Sequence, residues 1–126
     1  MAQTGRRTEK PLHWVASSKK DLLAFPGDGV HAFGYALGVV QAGRTPPSAK
    51  AWKGEGGGVL ELIENRRGST WRVLYTVRFE KAVYVLHCFQ KKSPSGIRTA
   101  TTDVALVRRR LRTAGEDYEV RYGKKA

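Results

Sequence analysis

Acidic residues and cysteines are both scarce in this sequence. Eleven Asp and Glu stand against 23 Lys and Arg, a formal charge of +12 over 126 residues. Such a surplus points to a polyanionic partner, most often nucleic acid, without saying whether that partner is held or cut. The single cysteine, Cys88, excludes an internal disulfide framework and fits a reducing compartment. No apolar run approaches the roughly 20 residues of a bilayer span, so no membrane segment is expected. The basic start MAQTGRRTEK is followed by no apolar stretch, so no secretory signal is expected either. The histidines lack metal-ligand spacing, and His87 next to Cys88 is poorly placed to chelate one ion. The GEGGG run lacks the Lys-Ser/Thr of a phosphate-binding P-loop. No metal and no cofactor are expected. What remains is one basic, cytoplasmic domain, long enough to bury roughly two-thirds of its unfolded surface.

Hydrophobic patterning divides the chain in two. Pro11–Val15 reads as a short strand. Ser18 with Asp21 three residues later reads as a capping box, opening a short helix that Pro26 stops. Val30, Phe33, Leu37 and Val40 then recur at three- and four-residue spacing, a second, amphipathic helix ended by Gly43. Together these suggest a helical hairpin. Lys50–Gly58 reads as a Gly-rich loop, and Val59–Glu64, Trp71–Phe79 and Ala82–Phe89 as an antiparallel meander. Val104, Val107 and Leu111 mark a last helix. The expected fold is α+β: an N-terminal helical hairpin packed on a small antiparallel β-sheet, with a C-terminal helix. Residues 1–10 read as a disordered basic N-terminus and 115–126 as a flexible tail.

The middle strands can be read face by face. Trp71, Val73, Tyr75, Val77 and Phe79 should face the helical hairpin, and Arg72, Leu74, Thr76 and Arg78 should face outward. A two-residue turn at Glu80-Lys81 pairs Arg72 with Phe89, Leu74 with His87 and Arg78 with Val83. Arg72, His87, Phe89 and Lys91 then share one patch. Arg66, Arg67, Arg72, Arg78, Lys81, Lys91, Lys92 and Arg98 face one acid, Glu80, within residues 66–98. A cationic sheet interleaved with aromatics suits single-stranded RNA.

The runs YVLHCFQKK (84–92) and TWRVLYT (70–76) resemble the phage-related branch of the RelE/HigB toxin family. So do SKKDLLAFP, FGYALGVVQAG, AKAWKG, VLEL and SGIRTATTD, in that family's order, across roughly Lys10–Ala114. The resemblance implies a RelE-like toxin domain over 11–114 and a type II toxin–antitoxin system. It implies a ribosome-dependent, metal-independent endoribonuclease that cleaves mRNA by 2′-OH attack. Its partners would be mRNA, ribosomal RNA and a cognate antitoxin, which in such systems helps repress the operon. Arg72 matches the family's strand arginine, and Lys91 and Lys92 its basic positions after the last strand; His87 or Glu61 stands as candidate base. Lys53, Arg66, Arg67, Arg78, Arg98 and Phe89 are the expected RNA contacts. An Arg72→Ala change is expected to abolish cleavage and leave the fold intact.

Two departures stand out. Residues 99–103 carry no tyrosine, and the first meander strand reads Glu61-Leu62-Ile63-Glu64 where other members have a basic residue. A ParE-type gyrase inhibitor and a non-catalytic RNA-binding module therefore stand as alternatives. The arginines at 108–110 and 112 suit ribosomal RNA, an acidic antitoxin or simple solvation of a helix end.

Overall fold

The computed structural model describes residues 9–54, 57–66, 68–91 and 101–123. Strand β1 (Leu12–Trp14) leads into helices α1 (Ser18–Leu23) and α2 (Gly27–Gln41). The short β2 (Ala49–Ala51) precedes β3 (Val59–Arg66), β4 (Ser69–Thr76) and β5 (Val83–Lys91), and α3 (Thr101–Tyr122) follows. One sheet contains all five strands in the order β1-β5-β4-β3-β2. β2 to β5 pair antiparallel, whereas β1 runs parallel to β5 with Leu12 opposite Val83.

The expected fold class is thereby corrected: a helical hairpin on a small antiparallel sheet does not describe this molecule. The segment around Leu12–Trp14 joins the sheet in parallel and makes it mixed. Residues 49–51, expected to open a loop, form the opposite edge strand. The six-residue α1 lies mainly on β5 and α2 on β3, so the helices meet the sheet more than each other. β1 falls within the strand expected at Pro11–Val15, but three residues carry too little alternation to show its parallel pairing, or to show β2 at all.

Helix α1 also begins differently. Ser17 is its cap residue and its hydroxyl donates to the Asp21 carboxylate at 2.7 Å. Ser18 is buried and donates to the Val85 carbonyl at 3.2 Å, so the expected capping box is replaced by a tie to the sheet. The apolar stripe of α2 buries Phe33, Leu37 and Val40, and Gly43, at φ 86°, ends the helix in a conformation that disfavours a Cβ.

Both faces of the sheet are covered. On one, Leu62, Val73, Tyr75, Val83, Val85 and Cys88 pack against Leu22, Phe25, Phe33, Leu37 and Val40 of the helical layer. Burial pushes the Cys88 thiol up to about 12, so it behaves as a small hydrophobe. On the other face, Trp52, Val59, Leu74, Tyr84 and Leu86 pack beneath Val107, Leu111 and Ala114 of α3. Leu74, expected to face outward, is fully buried there. Residues 115–122 of the expected tail are helical, with Tyr118 stacked on Phe79 at 4.9 Å. Residues 1–8 and 124–126 lie outside the described residues.

A β-bulge reconciles the two faces. Leu74 opposes His87 but Tyr75 opposes Val85, leaving Leu86 as the extra residue. Beyond it the expected register fails. β4 ends at Thr76 and β5 starts at Val83. The chain still turns at Glu80-Lys81, with the Ala82 N–H donating to the Phe79 carbonyl at 3.5 Å, but strand pairing does not extend to that turn, so Arg78 has no strand partner. Val83 falls on the helical side. No described helix is long and apolar enough to cross a membrane.

Candidate functional site

Strand pairing places the chemistry on the α3 side of the sheet, at the end where β5 reaches Lys91. The expected pairs Arg72–Phe89 and Leu74–His87 are present, and Thr70 opposes Lys91. On β3, Ile63 opposes Arg72 and Asn65 opposes Thr70, whose hydroxyl donates to the Asn65 side chain at 2.9 Å. None of Ile63, Asn65, Thr70, Arg72, Phe89 and Lys91 is buried. One row further in, Lys50, Glu61, Leu74 and His87 stand side by side across four strands.

Glu61 is only 4% exposed, and a carboxylate so buried requires a partner. Arg72 supplies it: Nη1 donates to Oε2 at 2.7 Å and leans on Oε1 at 3.4 Å. The contact is made end-on by one nitrogen. Arg72 Nε has no hydrogen-bond partner among the described residues. Nε is itself buried, so an incoming anion would meet only the part of the guanidinium that accounts for the side chain's 22% exposure. Arg72 is thus the structural counter-ion of Glu61.

His87 is held from two sides. Its ring stacks on Phe89 with centroids 4.5 Å apart, and Nε2 meets Asp103 Oδ1 at 3.2 Å. Burial lowers its pKa from 6.5; Asp103 and Asp21 oppose that shift and Arg110 adds to it. The shift favours the neutral imidazole, and Nδ1 is buried with no partner among the described residues. Arg110 pins α3 beside it, donating from Nη1 to the Leu86 carbonyl of the bulge at 2.9 Å. One arginine of the 108–112 cluster is thus structural. Since α3 continues to Tyr122, the cluster sits in mid-helix and does not solvate a helix end.

The other expected residues disperse. Arg66 lies on the helical side, paired with Asp28 and Glu64 at 3.1 Å each. Arg78 sits beyond the far end of β4, donates to the Gly57 carbonyl, and lines a groove of about 710 Å³ with Phe79, Leu111 and Tyr118. Lys53 is exposed in the loop after β2, one residue past the buried Trp52. Gly54 next to it lies so close to the Trp52 ring that a Cβ would approach within 2.5 Å. Lys92, Arg67 and Arg98 lie outside the described residues. Two neighbours went unread in the sequence. Lys50 was hidden because residues 49–51 look like loop; the alternation of Lys50 and Trp52 about Ala51 was the only signal. Asp103 gave no local signal at all. Among the described residues no group of His, Cys, Asp and Glu could hold a metal ion.

The family model described as phage-derived protein Gp49-like (DUF891) matches residues 20–112. That span contains the α1–β5 framework, Arg72, His87 and the first half of α3. No curated protein and no solved structure matches the chain.

Proposed function

The chain belongs to the phage-derived Gp49-like family, a family of toxin–antitoxin toxins related to RelE and HigB, and we propose that it is an mRNA-cleaving endoribonuclease that works on the ribosome. A cognate antitoxin is the partner that such a toxin implies. The observation that carries the nuclease reading is the end-on Glu61–Arg72 pair, which fixes one nitrogen of the guanidinium on a side chain that keeps 22% of its surface exposed.

In the proposed reaction the 2′-oxygen bonds to the adjacent phosphorus and the P–O5′ bond breaks, giving a 2′,3′-cyclic phosphate and a 5′-hydroxyl. The 2′-OH proton passes to solvent water, and the leaving 5′-oxygen takes one from Lys91. In-line positioning and stabilisation of the charge on phosphorane oxygens carry most of such a step. Arg72 meets those oxygens, and Lys91, one row further along the face, protonates the leaving oxygen. His87, with Nε2 taken by Asp103 and Nδ1 buried, positions Phe89 by stacking on it and is not the base.

Cell-free translation with primer extension tests this. New mRNA 5′ ends are expected with the natural chain and not with Arg72→Lys, which keeps the charge and loses the fork. The expectation that Arg72→Ala spares the fold is corrected, because Glu61 would be left buried without its partner. Translation that continues, or that stops without new 5′ ends, sinks the nuclease. Inhibited gyrase supercoiling without RNA cleavage would replace it with the topoisomerase reading.

A further inference from the structure

We propose that Lys50, Arg72 and Lys91 form a diagonal cation track that fixes the path of single-stranded RNA across the sheet, with Lys50 as a phosphate contact upstream or downstream of the one Arg72 holds. The proposal deepens the reading above and rests on it only in the choice of RNA.

Register alone lays out the track. Lys50 opposes Glu61, which opposes Leu74, so Lys50 lies one row from Arg72 and two strands away. Lys91 opposes Thr70, one row from Arg72 in the other direction and one strand away. Strand spacing and rise put the three positions on a line of roughly 20 Å. All three side chains belong to the face that carries Glu61 and Phe89. Lys50 is exposed, and neither it nor Lys91 enters an ion pair among the described residues. The obvious counter-ion for Lys50, its cross-strand neighbour Glu61, is already engaged by Arg72. Asp103, the other acid at this end, is engaged by His87. The acids on the face are therefore turned inward and the lysines outward.

Phe89 identifies the polymer. It is the direct cross-strand partner of Arg72, so a base stacked on its half-exposed ring keeps its own phosphate within reach of the guanidinium. Cations at intervals of one to two nucleotides with an aromatic platform between them suit an unpaired strand, whose bases are free to stack. A duplex would hide its bases from Phe89. An acidic peptide would use the charges and leave the platform idle.

Fluorescence anisotropy with labelled oligouridylate, measured across a salt series without ribosomes, tests the track. Three phosphate contacts predict a slope of about −2 in log affinity against log salt, at roughly −0.7 per contact on a single strand. Lys50→Gln should flatten the slope by about 0.7 and weaken a hexamer several-fold, while a dinucleotide, too short to reach Lys50 from Arg72, should not notice the change. Lys19→Gln, which removes the same charge from exposed α1, should leave both unchanged. An unaltered slope in Lys50→Gln overturns the track, as does an equal loss in Lys19→Gln. Polyglutamate that binds as tightly and with the same Lys50 dependence overturns the assignment to RNA. A chain that binds in this pattern and never cleaves keeps the track and refutes the nuclease.

Discussion

The two ends of the sheet face beneath α3 are built on opposite plans. At the end near Tyr122, the polar groups around α3 are paired with one another, although Trp52 Nε1, toward the far edge strand, is buried without a partner among the described residues. Tyr84 donates to Asp117 at 2.6 Å, Arg121 donates to the same oxygen at 2.7 Å, and His13 meets the Tyr122 hydroxyl at 2.8 Å. Phe79, Tyr84, Tyr118 and Tyr122 fill the space between them with ring contacts. At the end near Asp103, Arg72 Nε and His87 Nδ1 are buried with no partner among the described residues. The first plan anchors a helix. The second leaves a buried guanidinium N–H and a buried ring nitrogen unpaired, at a cost in stability. α3 is thus packed with rings and paired polar groups at its C-terminal half and tied by Asp103 and Arg110 at its N-terminal half, and the proposed chemistry lies at the second.

The sharpest way to break this contrast is Arg72→Lys. Cleavage should fall about 100-fold, or about 2.7 kcal/mol, while the melting temperature stays close to that of the natural chain. A primer-extension rate together with a thermal melt decides it; equal cleavage would place Arg72 with the anchoring residues. Tyr84→Phe addresses the other end. It removes a hydrogen bond to a carboxylate and should lower stability by about 1.5–3 kcal/mol in urea unfolding, with cleavage per folded molecule unchanged. A loss of cleavage there would show that the anchored end takes part in the chemistry.

Smaller effects refine the picture. Phe89→Leu keeps apolar volume and removes the stacking face, so oligonucleotide binding should weaken about five- to tenfold, with little change in the urea midpoint. The pH dependence of stability should be weaker still. Burial is the main cause that lowers the pKa of both His13 and His87 from 6.5. As pH falls through that value the unfolded chain takes up protons before the native one, so stability is full above it and declines below it. His87→Asn should remove more of the acid decline than His13→Asn, because His87 is buried and His13 only half so. Urea midpoints between pH 8 and pH 5 measure both; an equal contribution would mean that the two ends are alike in how they bury a histidine.

Much of the candidate site was legible in the sequence because it depends on alternation along long strands. Arg72, Phe89, His87 and Lys91 share a face in the structure as the spacing implies, and Arg72 opposes Phe89 as the turn guess required. The turn lies at Glu80-Lys81 as expected, but the strands do not pair up to it, and the bulge at Leu86 is what brings Tyr84 and Leu86 onto the same face as His87. Arg66 and Arg78 were grouped with the site on charge alone, and charge has no face. The sheet's edges were less legible. β1 and β2 are three residues each, and what makes them strands is the pairing offered by β5 and β3.

By itself the sequence determined the charge surplus, the apolar stripe of α2, the alternation of β4 and β5, and the family to which those patterns belong. These are local or compositional properties, written at periods of two and 3.6 residues. Only the tertiary structure decided that the sheet is mixed, that α3 covers its second face, and that Glu61, buried on β3, turns Arg72 end-on. It also brought Lys50 and Asp103 to the site, from elements 11 and 42 residues away from Glu61 in the chain. Pairing across strands and burial of a charge depend on what lies opposite in space, and no window along the chain contains that information.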